Sequence, residues 1–420
     1  MSHWLILAAR SAWNRRLTLG LTLAAVALSV TLLLGVERIR RDAREGFATS
    51  VSGTDLIIGA RTSPVQLMLY AVFRIGEAPN NIRWDAYRAI ADHPLVAWTI
   101  PISLGDSHRG FPVLGTTADY FAHFRYGDSR PLVFATGKPF VDVFDAVLGA
   151  QVAEELGYRL GDKIVLSHGI GGIGLPEHAD KPFTVTGILE RTGTPVDRTV
   201  HVGLAAIQAI HLDWQGGAPV PGFSIPARFV RKFDLTPKEI TAALVGLKSR
   251  AAVFRMQRYV DEYSGEPLLA VLPGVALDQL WQVVDVAENT LLAVSGMVVV
   301  VGLTGLVAVV LAGLNERRRE IAVLRSVGAR PGGIFLLLVI EGLFVTALGC
   351  LAGIVLLFVL TAIAAPIAQS RYGLVVHPRL ISLPELRLLT MVMAVGVIAS
   401  LIPGYRAYRL SLADGLTPRI

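Results

Sequence analysis

Two long apolar runs on either side of a short charged segment constrain the fold of this chain more than any other feature. Residues 289–314 carry no charged side chain, and residues 331–365 carry only Glu341. Either run exceeds the roughly 20 residues with which an α-helix crosses a hydrocarbon core about 30 Å thick. Residues 315–330 are therefore predicted to form a short loop between two membrane helices.

This loop is rich in arginine, and the arginines predict the side of the membrane on which it lies. They are Arg317, Arg318, Arg319, Arg325 and Arg330. Short loops with an excess of basic residues stay on the cytoplasmic side. We therefore predict a cytoplasmic loop. A loop that only sets the orientation of its helices is the simplest alternative.

The loop also carries apolar side chains in a regular pattern, which favours more than an orienting role. Ile321, Leu324 and Val327 recur at a spacing of three, with charged residues among them. Such a pattern is typical of a short helix with one apolar face. This pattern argues against a loop that only orients its helices.

The sequence of this segment resembles a known family motif. The run RRREIAVLRSVGAR, followed by an apolar helix with an early glutamate, resembles the FtsX domain of bacterial ABC transporter permeases of the MacB and LolE type. The resemblance implies a coupling helix that is seated on a partner ATPase. The residues that it implies for this contact are Glu316, Arg317, Arg318, Arg319, Glu320, Ile321, Leu324, Arg325, Val327 and Gly328.

Composition independently indicates an integral membrane protein. Hydrophobic residues make up 53% of the chain and charged residues 17%, which is too apolar for an ordinary soluble domain. The net charge of +6 could suggest nucleic acid, but the basic residues cluster at the ends of the apolar runs. There they orient helices and contact anionic headgroups. We expect contact with membrane lipid and no binding of nucleic acid.

Two further apolar runs bring the predicted membrane helices to four. Residues 17–36 form the first, after a basic N-terminus at residues 1–16, and residues 388–405 form the last. A cleaved signal peptide is an alternative for the first run, because residues 25–27 fit a cleavage site. Four crossings predict a multi-pass inner-membrane protein whose N-terminus and tail, residues 411–420, are both cytoplasmic.

Between the first two runs lies a long segment with the pattern of a folded domain. From about residue 51 to residue 280 the chain consists of short segments punctuated by glycine and proline. Strands are predicted at 55–59, 113–115 and 183–189, and helices at 84–92, 150–157 and 237–263. The fold class is thus a membrane protein with four transmembrane α-helices and a large α+β extracytoplasmic domain inserted between helices 1 and 2. Two lobes are expected, with residues 205–273 as the second.

The family resemblance implies an assignment for each part of the chain. Residues 37–285 would be a MacB-like periplasmic core domain, which residues 146–166 also resemble, and residues 286–410 an FtsX-like domain with membrane helices at about 289–314, 333–365 and 388–405. The implied function is that of the permease subunit of a mechanotransmission complex. ATP hydrolysis by a separate ATPase would drive efflux, lipoprotein or lipid handling, or activation of a cell-wall hydrolase in the periplasm.

The sequence contains no catalytic motif. It has neither a GxxxxGK[ST] phosphate loop nor a GxSxG nucleophile elbow. We therefore predict a non-catalytic subunit without a cofactor, so that ATP and Mg²⁺ are bound by the partner chain. The expected partners are the ABC ATPase, a second permease copy in a homodimer, and a periplasmic adaptor or substrate-binding protein. A membrane-anchored receptor or scaffold is the alternative from another class.

Three residues of the third apolar run are candidates for packing and coupling. Glu341 is an acid within a predicted membrane helix, where a charge is costly and is by default a functional candidate. We expect it to connect this helix to the coupling segment, with proton handling as the alternative. Gly349 and Gly353 form a GxxxG pair, which is typical of close helix packing. A substrate pathway is the alternative for these glycines.

Seven of the nine histidines fall in the predicted outer domain. They are His93, His108, His123, His168, His178, His201 and His211. Histidine is the commonest metal ligand, so metal-related transport is an alternative function. Their spacing matches neither HExxH nor a histidine-rich tract. The sequence therefore predicts no metal site.

Overall fold

A computed structural model describes residues 16–169, 177–215, 218–220, 222–316, 325–326, 328, 330–372 and 381–409. The chain divides into two compact units. The first, called the membrane unit below, contains the described residues up to Asp42, together with Asp285–Ile367 and 381–409. The second, called the outer unit, contains Ala43–Val284 and residues 368–372.

The described helices are α1 (Arg16–Thr49), α2 (Pro64–Met68), α3 (Trp84–Ala91), α4 (Asp119–His123), α5 (Ala150–Leu156), α6 (Leu204–Ile210), α7 (Ala227–Val230), α8 (Val253–Asp261), α9 (Pro273–Glu316), α10 (Pro331–Tyr372) and α11 (Leu383–Arg409). The described residues also contain a π turn, Leu69–Phe73, two 3₁₀ turns, Pro195–Arg198 and Arg250–Ala252, and helical residues at 325–326.

The described strands are β1 (Leu56–Ala60), β2 (Ile82–Arg83), β3 (Val96–Ile102), β4 (Asp106–His108), β5 (Phe111–Thr116), β6 (Arg125–Tyr126), β7 (Arg130–Pro131), β8 (Phe134–Gly137), β9 (Asp145–Leu148), β10 (Lys163–Ile164), β11 (Ser167–His168), β12 (Phe183–Leu189), β13 (Val200–Gly203), β14 (Trp214–Gln215), β15 (Ala218–Pro219), β16 (Glu239–Ile240), β17 (Ala242–Leu247) and β18 (Leu268–Val271).

Four described helices are long and apolar enough to cross a membrane, namely α1, α9, α10 and α11. The α+β outer unit lies between the first and second of them in the chain, which confirms the predicted fold class. Their interior is apolar, because Val30, Leu303, Leu338 and Val392 from the four helices pack in one buried cluster. In lipid, such packing and interhelical hydrogen bonds hold a bundle together.

The first two membrane helices are longer than the apolar runs from which they were predicted. Helix α1 continues from residue 36 to Thr49, and α9 begins at Pro273, well before residue 289. With a rise of 1.5 Å per residue, α1 is about 51 Å long and α9 about 66 Å. Both lengths exceed the roughly 30 Å of a hydrocarbon core.

The outer unit contains two main sheets that share a core. One has the strand order β18-β1-β17-β3, and all of its pairs are antiparallel. The other has the order β10-β12-β9-β13-β5-β4-β11, with β8 beside β12 and parallel pairs at β9–β12 and β5–β13. Ile57 of the first sheet packs in one cluster with Leu114 and Val147 of the second.

Two predictions for the outer unit were wrong. Over residues 237–247 the predicted helix is replaced by β16 and β17, and helical structure in that region begins only with the 3₁₀ turn Arg250–Ala252 and continues as Val253–Asp261. The apolar run of β17 is buried between β1 and β3, and a short buried strand cannot be told from a helix by periodicity. Residues 205–273 also form no separate lobe, since β17 and β18 pair with β1 from the start of the unit.

Candidate functional site

Most of the predicted coupling segment falls outside the described residues. Those outside are Arg317, Arg318, Arg319, Glu320, Ile321, Leu324 and Val327. Glu316 is the last residue of α9, and the backbone N–H of Gly328 donates to the carbonyl of Arg325 at 3.1 Å. Gly328 has a φ of +95°, a conformation that favours glycine, just before α10 begins. The role of these residues in binding an ATPase stays a prediction.

Glu341 lies half-buried in the first part of α10. It follows Pro331, the first residue of that helix, by ten positions, which corresponds to about 15 Å along the axis. The predicted connection of its side chain to the coupling segment stays a prediction.

The GxxxG pair of α10 lies against α1. A Cβ atom on Gly349 would be 2.6 Å from Val26 Cγ1, and one on Gly353 would be 2.8 Å from the carbonyl oxygen of Ala27. The same approach allows the hydroxyl of Thr31 to donate to the carbonyl of Gly353 at 3.0 Å. The absence of a side chain at these positions is what lets the two backbones come so close.

Substituting Gly353 by leucine is expected to lower the stability of the membrane unit by about 1–3 kcal/mol, because the new side chain would push α1 away from α10. The measurement is thermal unfolding of the full chain in detergent. Gly305→Leu is the matched control. Gly305 lies in α9, and no atom lies within 4 Å of the position that its Cβ atom would take. Equal midpoints for the two variants would contradict the predicted role of Gly353.

Helix α1 is also tied to α9. The hydroxyl of Ser29 donates to the carbonyl of Val298 at 3.2 Å, in the apolar part of both helices. Further along, the guanidinium of Arg40 lies 3.0 Å from Glu37 and 3.7 Å from Glu288. Helices α1 and α9 are thus in contact at two levels.

A buried ion pair connects α1 to α11. The Nε of Arg38 donates to Oε1 of Glu385 at 2.9 Å, and the two side chains are 8% and 2% exposed. The other oxygen of Glu385 accepts from the backbone N–H and hydroxyl of Ser382 at 2.6 and 2.8 Å, which forms a capping box at the start of α11. Sequence reasoning missed Glu385, although the spacing Ser-x-x-Glu at residues 382–385 is the signature of such a cap.

The outer unit brings together four potential metal ligands that are far apart in the sequence. Asp106, His168, His178 and His211 each offer one ligand atom, and these atoms all lie within 4.8 Å of one another. Asp106 of β4 and His168 of β11 are register partners in an antiparallel strand pair. His178 follows β11 in the chain, and His211 follows the end of α6.

The distances within this histidine cluster are short. Nδ1 of His168 lies 3.3 Å from Oδ1 of Asp106 and 3.0 Å from Nε2 of His211. Oδ1 of Asp106 is 3.5 Å from Nε2 of His211 and 4.0 Å from Nε2 of His178. The ring of Trp214 lies on His178, with ring centroids 4.1 Å apart. The cluster thus consists of one carboxylate and three imidazoles, with the ring of Trp214 packed against the imidazoles.

Burial lowers the pKa of one imidazole in the cluster, whereas a hydrogen bond to the carboxylate raises the pKa of another. Burial lowers the pKa of His178 to about 4, with a smaller contribution from His211. The hydrogen bond to Asp106 raises the pKa of the more exposed His168 above its ordinary value. Near neutral pH His178 is therefore an uncharged imidazole.

A second buried ion pair supports the segments that carry these histidines. The ammonium of Lys181, which is fully buried, donates to both oxygens of Asp213 at 2.8 Å and to Asp180 at 2.9 Å. Asp213 also accepts from the backbone N–H of Ile225 at 2.9 Å. Burial alone would raise the pKa of Asp213, but the bonds from Lys181 and Ile225 lower it. This pair links the chain next to His178 with the chain next to His211.

The other four outer histidines have structural surroundings. Nδ1 of His108 contacts the carbonyl of Val165, and His201 lies in the core, where burial lowers its pKa to about 3. His93 packs on an aromatic ring, that of Tyr259, and His123 stacks on a second one. The three clustered histidines come together through the pairing of β4 with β11 and the course of the chain after α6. No local sequence signal distinguishes them from the other four.

Comparison with known families matches both parts of the chain. A family model described as the MacB-like periplasmic core domain matches residues 19–245, more than half of the chain, and one described as the FtsX-like permease C-terminal domain matches residues 292–412. The lipoprotein-releasing system transmembrane protein LolC of Neisseria meningitidis is 24% identical over 357 residues, which cover 80% of this chain and 74% of that protein.

Two solved structures also resemble this chain in part. The periplasmic region of MacB from Actinobacillus actinomycetemcomitans is 11% identical, covers 55% of this chain and 94% of that one, and has a TM-score of 0.34. The extracellular domain of the noncanonic ABC-type transporter YknZ from Gram-positive bacteria is 12% identical, covers 52% and 98%, and has a TM-score of 0.29. TM-scores this low do not establish a shared fold.

Proposed function

This chain belongs to the family of MacB/FtsX-type ABC transporter permeases, and from that premise we propose that it couples ATP hydrolysis by a separate ATPase to work in the periplasm. It acts without a cofactor of its own, since ATP and Mg²⁺ are bound by the partner. Two copies, each with both termini in the cytoplasm, assemble with two ATPase subunits. The cargo is a periplasmic partner, a lipid or lipoprotein, or a compound for efflux.

The observation that carries this proposal is the length and pairing of α1 and α9. Both helices are longer than a hydrocarbon core, and both are continuous with the chain that enters and leaves the outer unit. They are joined by Ser29 to Val298 and by Arg40 to Glu288. In this proposal a displacement of one helix is passed to the other through these two contacts.

The path of the motion starts at the coupling segment. In this proposal, closure of the ATPases displaces residues 316–330 and with them the adjoining ends of α9 and α10. The close contacts of Gly349 and Gly353 with α1 transmit the displacement to that helix as well. Since α1 and α9 flank the outer unit in the chain, the unit moves in response to ATP hydrolysis without carrying nucleotide chemistry itself.

Arg325→Glu is expected to remove most of the ATPase that co-purifies with this chain, because the substitution reverses a charge within the proposed contact. The measurement is the molar ratio of ATPase to permease after affinity purification in detergent. Arg409→Glu is the matched control, because Arg409 ends α11 at a distance in sequence from the coupling segment. We expect this control to retain the ATPase.

Two results would count against the proposal. Purification of the unaltered chain without any ATPase would favour the receptor or scaffold alternative. Equal loss of ATPase in the Arg325 and Arg409 variants would show that the contact depends on general charge and not on the coupling segment.

A further inference from the structure

We propose that Asp106, His168, His178 and His211 form a zinc-binding site in the outer unit. Three imidazoles and one carboxylate are a donor set that suits tetrahedral Zn²⁺. The site goes beyond the proposed coupling function, because it would bind its ion whether or not an ATPase is attached. It also departs from the sequence pattern, in which the histidines have no metal-binding spacing.

The spacing of the donor atoms fits one small ion. With metal–ligand distances of about 2.0–2.1 Å, neighbouring ligands of a tetrahedral zinc ion lie about 3.3 Å apart. The distances among His168 Nδ1, His211 Nε2 and Asp106 Oδ1 are 3.0, 3.3 and 3.5 Å. These three atoms therefore already form one face of a coordination tetrahedron. His178, at 4.0 Å from Asp106, needs only a small side-chain shift to supply the fourth ligand.

The tautomer of His211 is set for metal binding. Its Nδ1 lies 2.8 Å from the carbonyl oxygen of Ile207, which can only accept a hydrogen bond. Nδ1 therefore carries the proton, and the lone pair of Nε2 is directed into the cluster. Metal-bound histidines almost always use their second nitrogen in this way, to donate to a carbonyl or carboxylate.

His178 provides an independent reason to expect a ligand. Its side chain is 0% exposed, and among the described residues neither of its ring nitrogens has a hydrogen-bond partner. A buried polar group without a partner costs about 1–3 kcal/mol, so such groups call for an explanation. A metal ion next to Nε2 supplies a partner for that nitrogen.

A polar network without a metal would explain only part of this arrangement. An ion pair between protonated His168 and Asp106 accounts for their short distance. It leaves two further imidazoles directed at the same carboxylate, and it leaves His178 without a partner. Zinc gives each of the four side chains a ligand role, and Trp214 packed against the histidines limits access of water.

The test is metal analysis of the full chain, purified in detergent without a polyhistidine tag, stripped with a chelator and dialysed against micromolar zinc. We expect about one zinc ion per chain, as for a single four-ligand site. His168→Ala and His211→Ala remove partly exposed ligands and are expected to weaken zinc binding more than about tenfold. His93→Ala, which alters a histidine outside the cluster, should bind like the unaltered chain.

Thermal unfolding separates lost binding from lost folding. Zinc should raise the unfolding midpoint of the unaltered chain and of His93→Ala, because an ion that binds only the folded state stabilises it. The His168 and His211 variants should unfold near the midpoint of the metal-free unaltered chain, with no rise on adding zinc. A chain that retains no zinc, or cluster variants that bind zinc as tightly as the control, would overturn the proposal. Neither result would affect ATPase co-purification.

Discussion

Asp213→Ala is expected to lower the stability of the outer unit by about 3–5 kcal/mol, because it leaves the buried ammonium of Lys181 without its main partner. Lys181 is 0% exposed, and among the described residues its other ion pair is with the half-exposed Asp180. The substitution also removes the acceptor of the Ile225 N–H. Hydrogen exchange of the full chain, followed in peptides that cover 177–190 and 204–230, measures the loss. A chelator in the buffer keeps metal binding out of the comparison.

Two further variants separate the ion pair from a general effect of losing a carboxylate. Lys181→Met combined with Asp213→Leu should recover much of the protection, since apolar residues of similar size can replace a buried pair at little cost. Asp142→Ala breaks an exposed pair with Arg231 and should have little effect, because solvent screens such pairs. If Asp213→Ala and Asp142→Ala had equal effects, the buried pair would not be what stabilises these segments.

Arg38→Ala is expected to destabilise the membrane unit by a similar amount, about 3–5 kcal/mol, because Glu385 would remain as a buried charge without its cation. Both side chains are almost fully buried, and they join the first and last membrane helices. The measurement is denaturation of the full chain in detergent, with unfolding followed by loss of helical circular dichroism.

The matched control is Arg387→Ala, which removes an arginine that is exposed two residues from Glu385. We expect little change for this variant. Arg38→Met combined with Glu385→Gln should be milder than Arg38→Ala, because glutamine keeps an acceptor for the cap at Ser382 without a charge. A milder effect for Arg38→Ala than for Arg387→Ala would rule out the stabilising role of this pair.

Sequence reasoning was accurate where one physical effect dominates. The four membrane helices follow from apolar runs long enough to span a bilayer, and all four are present among the described residues. Strands β1, β5 and β12 lie where alternating or buried apolar residues come near a glycine. It was wrong over residues 237–247, where an alanine-rich apolar run fits a helix as well as a buried strand. Burial between β1 and β3 decides between the two.

Among the candidate sites, too, the sequence predicts those that rest on a local pattern and misses those that join distant residues. The coupling motif and the GxxxG pair are local patterns, so the sequence could point to them, and the structure places Gly349 and Gly353 against α1. The pairs Arg38–Glu385 and Lys181–Asp213 join residues that are far apart in the chain. No spacing rule foresees such contacts, because they depend on which helices and segments pack together.

The amino-acid sequence by itself determined that this chain is a four-helix membrane protein with an inserted α+β domain, and it carried the motif of its family. It did so because the length of an apolar run and the charges next to it act without contacts to distant parts of the chain. Only the tertiary structure decided that Asp106 and three of seven outer histidines meet, since the β4–β11 pairing and the chain after α6 bring them together. A binding site made of distant residues exists only once the chain between them has folded.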